Sequence, residues 1–279
     1  MPLLNLEKLR PTDTELDFLV NAAAPEVQDK NQLKQIIRED EDFRSTFIGD
    51  EKVIGKVMAD DDILLKISPA LYFEILLRKA LSDLENTSYT IERDGKARIA
   101  VFDTKEVVEL LDRQPVLVYL AHMLSSFARV ESYAISFRVK KGVWRKIRFN
   151  DMDINSLISF CETVEEEYRF GFYKRIADIC LFILGIFPDY ARSQHQYSLS
   201  GEIRPPIAGQ GRKGPEDFEN EGRRFYKLAA EHQAAKSLEL SEVFWLLHGN
   251  FHAAKKPLNF IADYYLHPKR HSLFGTITQ

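Results

Sequence analysis

The stretch that most resembles a chemical motif is the glycine-rich segment GQGRKG at residues 209–214. A nucleotide-binding P-loop requires Gly-x-x-x-x-Gly followed by Lys and Ser or Thr, because the lysine reaches the phosphates and the hydroxyl binds magnesium. Here Gly214 is followed by Pro215 and Glu216, which remove an amide and add a charge that repels phosphate. A dinucleotide-binding turn needs a preceding strand, and IRPPIA precedes this one. We therefore interpret the segment as a tether.

A basic segment at residues 134–150 has more chemical potential, since it contains six basic and no acidic residues. Strand alternation predicts that one face of a hairpin carries four cations and an indole, which suits phosphate contact and base stacking. The predicted polyanion-binding residues are Arg138, Lys140, Trp144, Lys146 and Arg148. Two predicted helices, 104–112 and 115–130, precede the hairpin in the order of a winged helix-turn-helix. However, the second is mostly apolar and offers few groups that read bases. The alternative interpretation is a basic surface that balances the acidic residues 1–67.

The histidines do not indicate a metal site. His248/His252 and His267/His271 have the i,i+4 spacing of ligands on one helix face, but a Gly-Asn dipeptide interrupts the first pair and a proline the second. No His-Glu-x-x-His motif or Gly-x-Ser-x-Gly elbow occurs in the sequence. The sequence therefore predicts no metal, no cofactor and no catalytic residue.

One carboxylate, Asp178, lies within a strongly apolar helical segment. A lone buried carboxylate is costly, so it requires a partner. Arg175 lies one helical turn earlier, and we expect the two to form a structural ion pair.

Composition favours a folded protein of a reducing compartment. The chain has 279 residues, 45% of them hydrophobic, and a formal net charge of −4, which argues against coating nucleic acid with the whole surface. Two cysteines in apolar helical sequence suit the cytoplasm better than a disulfide scaffold. The N-terminus does not resemble a signal peptide, and the most apolar run, residues 179–187, is far below the roughly 20 residues of a membrane helix.

Hydrophobic periodicity predicts a mainly α (α+β) fold with two β-hairpins in the middle of the chain. The hairpins are expected near 88–102, turning at Asp94-Gly95, and near 134–149. Asp103 is expected to cap the helix that follows the first hairpin. Residues 153–187 read as one long helical stretch, and three more helices are expected near 216–235, 239–248 and 251–266. The predicted organisation is therefore a helical body (1–188), a loose connector (189–215) and a helical C-terminal part (216–279).

The segments KRIADICLFILGIFP (174–188) and FENEGRRFYKLAAEH (218–232) resemble a pattern of uncharacterised bacterial helical proteins. In that pattern a Lys-Arg-x-x-Asp-x-x-Leu-Phe-x-x-Gly-x-Phe helix precedes a helix bearing Tyr and Gly. The resemblance implies a bacterial, all-helical C-terminal part and no known activity.

Three functional hypotheses remain. The first is a non-catalytic binding or assembly protein that acts through helical surfaces, with a protein partner or a second copy of itself. The second is binding of nucleic acid or another polyanion through the basic hairpin, and the third is an enzyme of a kind these motifs do not reveal.

Overall fold

A computed structural model describes residues 11–94, 97–128, 134–140, 143–148, 154–193, 214–266 and 270–274. Side chains are described for these residues except 93, 94, 97, 134–148, 156, 192, 193, 271 and 272.

Five α-helices build the N-terminal third, and acidic residues begin several of them. The carboxylates of Asp29, Asp40 and Asp50 each accept a hydrogen bond from a first-turn amide, as N-caps do. Part of the acidity of this region therefore serves helix initiation. The helices are α1 (Asp13–Ala23), α2 (Lys30–Glu39), α3 (Glu41–Ile48), α4 (Glu51–Ala59) and, after a 3₁₀ turn at Ile63–Leu65, α5 (Pro69–Glu85).

Two antiparallel hairpins occupy the middle of the chain, which confirms the predicted fold class. Hairpin 1 consists of β1 (Thr90–Asp94) and β2 (Ala97–Val101), and hairpin 2 of β3 (Ala134–Lys140) and β4 (Val143–Arg148). Each hairpin is a separate two-stranded sheet, and such sheets need helices to pack on. The helices of this region are α6 (Thr104–Leu111), α7 (Gln114–Phe127) and α8 (Ile154–Thr163).

Helices make up the described part of the chain beyond α8. They are α9 (Phe170–Ile186), α10 (Pro188–Ser193), α11 (Pro215–Glu231), α12 (Gln233–Ser237), α13 (Ser241–Gly249), α14 (Phe251–Tyr264) and α15 (Arg270–Phe274). The single helical stretch expected at 153–187 is in fact divided into α8 and α9 by a 3₁₀ turn at Glu166–Tyr168. Arg169 stabilises the break, because its guanidinium donates to the Val164 carbonyl at 2.6 Å and pairs with Glu166 at 2.9 Å.

Helix α9 forms the centre of the core. Fifteen of its seventeen residues are buried, and it packs against α8, α11 and α14. Two glycines leave room for tight packing among α9, α11 and α14. A Cβ on Gly185 would lie 2.6 Å from the Leu258 Cβ of α14, and a Cβ on Gly222 of α11 would lie 2.4 Å from the Phe251 ring. Gly185 therefore lets α9 and α14 approach closely, and Gly222 leaves room for the Phe251 ring.

The hydrophobic core joins the predicted body to the predicted C-terminal part. One cluster of buried side chains extends from Leu19 to Phe274, so α11, α13 and α14 pack directly on helices of the body. A smaller cluster of Leu16, Val20 and Ile37 lies between α1 and α2. Most of the predicted connector falls outside the described residues.

Candidate functional site

Hairpin 2 carries the predicted polyanion-binding residues, but their side chains lie outside the described residues. The backbone register shows an irregularity between Arg138 and Lys140, which shifts Lys140 by one position relative to the other four residues. The paired positions are Ala134 with Arg148, Ser136 with Lys146, Arg138 with Trp144, and Lys140 with Val143. The shared binding face stays a prediction.

The glycine-rich tether is described only at its last residue, Gly214, which precedes α11. The Gly214 amide donates a hydrogen bond to the Asp217 carboxylate at 2.8 Å. An acidic side chain thus takes an amide at the helix N-terminus, where a bound phosphate would need it.

The histidine pairs do not form a common site among the described side chains. A ring nitrogen of His248 lies 2.9 Å from the Arg223 carbonyl, whereas His252 contacts the Glu92 carboxylate of β1. His267 and the side chain of His271 are outside the described residues.

Asp178 is fully buried in α9 and contacts three donors. The Lys174 ammonium lies 2.5 Å away, and the hydroxyls of Tyr119 and Tyr226 donate at 2.5 and 3.0 Å. The ion-pair partner is therefore Lys174 rather than the expected Arg175. The Arg175 guanidinium instead donates to the Ser126 hydroxyl at 2.9 Å and lies 3.9 Å from the centre of the Phe127 ring.

The surroundings of Asp178 fix the protonation states of two tyrosines and one histidine. Burial and the adjacent carboxylate raise the pKa of Tyr119 and of Tyr226 well above the ordinary value, so both hydroxyls remain donors. Burial, assisted by the charge of Lys174, lowers the pKa of the nearby His122 to about 4, so this ring is neutral. A satisfied, enclosed carboxylate joins α7, α9 and α11, and this role is structural.

A second ionic cluster holds hairpin 1 against α14. The Lys256 side chain is only 3% exposed, and its ammonium contacts the Asp103 carboxylate, the Glu92 carboxylate at 2.7 Å and the Thr90 hydroxyl at 3.2 Å. The Thr90 hydroxyl donates to Asp103 at 2.6 Å. Asp103 does precede α6, but its side chain makes no capping hydrogen bond. The expected side-chain cap is absent because the Asp103 carboxylate binds Thr90 and Lys256 instead.

His252 extends this cluster to α11. One ring nitrogen lies 2.7 Å from the Glu92 carboxylate, and the other lies 3.8 Å from that of Glu219. Glu219 also accepts from Lys255 at 3.0 Å. We call these residues, with Lys256, Asp103 and Thr90, the hairpin 1 network. The network ties β1 to both α11 and α14.

The pKa values in the network follow from these pairs. Burial would raise the pKa of Glu92 and Asp103, but hydrogen bonds and charge from Lys256 outweigh it and lower both. His252, followed by Lys255, lowers the pKa of Glu219 to about 2. Glu219 and the nearer Glu92 raise the pKa of His252, against the opposing effects of burial and the two lysines. The protonated imidazolium is the form that fits between the carboxylates.

Glu92, Asp103 and His252 bring ligand atoms within 4.8 Å of one another, a spacing suited to a cation. The Lys256 ammonium already contacts both carboxylates and supplies that charge. A metal ion would have to displace a buried lysine, so we interpret the cluster as an ion-pair network.

This arrangement predicts a pH-dependent contribution of His252 to stability. Because the folded pKa is raised, the contribution is full below the unfolded value and is lost as pH rises through the folded value. We expect His252→Gln to lower the free energy of unfolding more at pH 5.5 than at pH 8.5. The difference should stay below about 1 kcal/mol, since the side chain is half exposed. Urea unfolding at both pH values measures it, and equal losses would contradict the prediction.

The other face of hairpin 1 is turned to solvent. Thr90 and Glu92 belong to the network, so strand alternation places the residues that alternate with them on the opposite side of the sheet. Phe102 is 81% exposed and Tyr89 47%, and their rings contact each other at a centroid distance of 6.1 Å. We define the outer face as Tyr89, Ile91, Arg98, Ala100 and Phe102, all of them exposed.

Sequence reasoning missed both Lys256 and the outer face. Lys256 stands in a polar-looking Lys-Lys-Pro run, and its contacts lie more than 150 residues earlier in the chain. The sequence did contain a signal for the outer face. Aromatic residues stand at both ends of a hairpin in which Thr90 and Glu92 occupy the alternate, inward positions.

Every helix within the described ranges is too short or too polar to traverse a bilayer. Comparison with protein-family models, with curated proteins and with solved structures finds no match to this chain.

Proposed function

We propose that the protein is a non-catalytic binding protein that recognises a protein surface through the outer face of hairpin 1. The observation that carries this proposal is the exposure of Phe102 beside Tyr89 and Ile91 on a sheet whose opposite face is anchored. The proposal keeps the binding or assembly role that the sequence suggests and moves the contact from the helices to the hairpin.

The distribution of exposed apolar side chains supports this location. Twelve large hydrophobic side chains are exposed in the described part of the chain, and three of them, Tyr89, Ile91 and Phe102, lie together on the outer face. Scattered exposed apolar residues are ordinary, whereas a cluster of them indicates an interaction site.

The hairpin 1 network supports the same proposal through rigidity. Lys256 and His252 hold β1 on two helices, so the outer face is ordered before a partner arrives. A pre-ordered surface loses less conformational entropy on association.

The proposal includes a reducing, cytoplasmic location. Cys161 and Cys180 are both buried and present as thiols. Burial raises the pKa of the Cys161 thiol to about 11, so it is unreactive.

Site-specific photo-crosslinking in cells tests the binding role. With a photoreactive phenylalanine analogue at Phe102, we expect discrete covalent adducts to a protein. The matched control is Leu65, which is 87% exposed on the 3₁₀ turn before α5 and is not part of hairpin 1. Absence of a Phe102 adduct, or the same adducts from Leu65, would reject the proposal.

Polyanion binding through hairpin 2 is the second proposal, favoured by the backbone register that pairs Arg138 with Trp144 in a strongly basic ribbon. Duplex DNA binding that weakens steeply with salt and is abolished by Lys140→Glu, Lys146→Glu and Arg148→Glu together would support it.

A further inference from the structure

The outer face of hairpin 1 has two chemically different ends. Arg98 lies next to the turn, where no ion pair joins it to any described residue. Phe102 and Tyr89 lie at the opposite end, with the small Ala100 and Ile91 between the two ends. The described side chains of this face include a cation and two aromatic rings but no carboxylate.

If a twofold axis related two copies of this face, the cationic end of each copy would lie on the aromatic end of the other. Antiparallel stacking of two hairpins would place Arg98 of each copy over the Phe102 and Tyr89 rings of the other. A guanidinium over an aromatic ring is a favourable contact. Ala100 and Ile91 of both copies would meet at the axis, where the small alanine permits close approach. The spacing agrees, because Arg98 and Phe102 are separated by four residues, or about 13 Å along a strand.

From this complementarity we propose that the occupant of the outer face is a second copy of this chain, packed face to face and antiparallel. This inference rests on the proposed function and names its partner. The face contains both the cation and the aromatic rings that this cation would contact in a second copy, as a twofold interface requires. An acidic partner surface would pair with Arg98 but would leave the aromatic end without its complement.

The small size of the face indicates a transient rather than a permanent association. One exposed phenylalanine, a half-exposed tyrosine and an isoleucine bury on the order of several hundred Å² per copy. Stable interfaces bury about 1,600 Å² in total. The proposed dimer therefore belongs with the small, transient interfaces and should associate reversibly.

Sedimentation equilibrium of the full chain from about 5 µM to 1 mM tests the proposal, over the range where small interfaces associate. We expect a monomer–dimer equilibrium. Phe102→Arg opposes two guanidinium groups and should raise Kd at least about tenfold. Adding Arg98→Phe restores the cation–ring pair in exchanged positions and should return Kd to within about threefold of the wild type. Leu65→Arg, an exposed change outside the face, should leave Kd unaltered.

A wild-type protein that remains monomeric at 1 mM would overturn the proposal, as would Phe102→Arg protein that associates like the wild type. Failure of the Arg98→Phe change to rescue Phe102→Arg would reject the antiparallel arrangement. A strict monomer that still crosslinks at Phe102 to a different protein would retain the binding function and reject self-association. Thermal unfolding verifies that each variant is folded.

Discussion

An Asp178→Asn protein is expected to be less stable than the wild type by about 3–5 kcal/mol, the cost of leaving one member of a buried ion pair alone. Asparagine preserves the shape and can still accept from Tyr119 or Tyr226, but it removes the charge that balances Lys174. The Lys174 side chain is 10% exposed and cannot be rehydrated without moving α9. Urea unfolding followed by circular dichroism at pH 7 measures the loss.

Two controls separate the buried charge from other effects of this substitution. Lys174→Met added to Asp178→Asn removes the stranded ammonium, so the double variant should be more stable than Asp178→Asn alone. Glu231→Gln removes the carboxylate of an exposed i,i+4 pair with Lys227 and should change stability by less than about 0.5 kcal/mol. A loss below about 1 kcal/mol for Asp178→Asn would show that the pair is not the source of the stability we assign to it.

Alanine at Gly222 is expected to destabilise the protein by about 1–3 kcal/mol, although alanine is the better helix former. Its Cβ would lie 2.4 and 2.5 Å from two atoms of the Phe251 ring and 3.0 Å from the Cys180 Cβ. The Phe251 ring is 1% exposed and packs against Tyr226, so it cannot move without disturbing the core.

Gly55 provides the matched control for this prediction. It lies inside α4, and an added Cβ would meet no atom within 4 Å. Gly55→Ala should therefore stabilise the protein by up to about 1 kcal/mol through helix propensity alone. Thermal or urea unfolding should give opposite signs for the two variants. The tight packing of the Phe251 ring against Gly222 would be disproved if Gly222→Ala were as stabilising as Gly55→Ala.

Local patterns in the sequence predicted the elements but not their long-range partners. The period-2 alternation around Asp94-Gly95 gives hairpin 1 correctly. The outward placement of Phe102 does not follow from alternation alone, because alternation does not say which face a helix will cover. The packing of α14, far along the chain, decides it.

The partner of Asp178 shows the same limit at one position. Lys174 and Arg175 stand four and three residues before it, and both spacings place a side chain on the same helix face. Contacts with another helix choose between them: Arg175 reaches Ser126 and Phe127 of α7, which leaves Lys174 for the carboxylate. The spacing of residues within α9 does not reveal which of them will contact α7.

The central position of α9 has a consequence for biosynthesis. A ribosome releases this apolar helix before it has made α11 and α14, which cover it. About 80 residues separate the ends of α9 and α14, and at ordinary elongation rates their translation lasts roughly 4–16 s. During that interval the faces of α9 that α11 and α14 will cover stay exposed on the nascent chain, which makes it a substrate for chaperones that bind apolar segments. The native structure is completed only when the last third of the chain emerges.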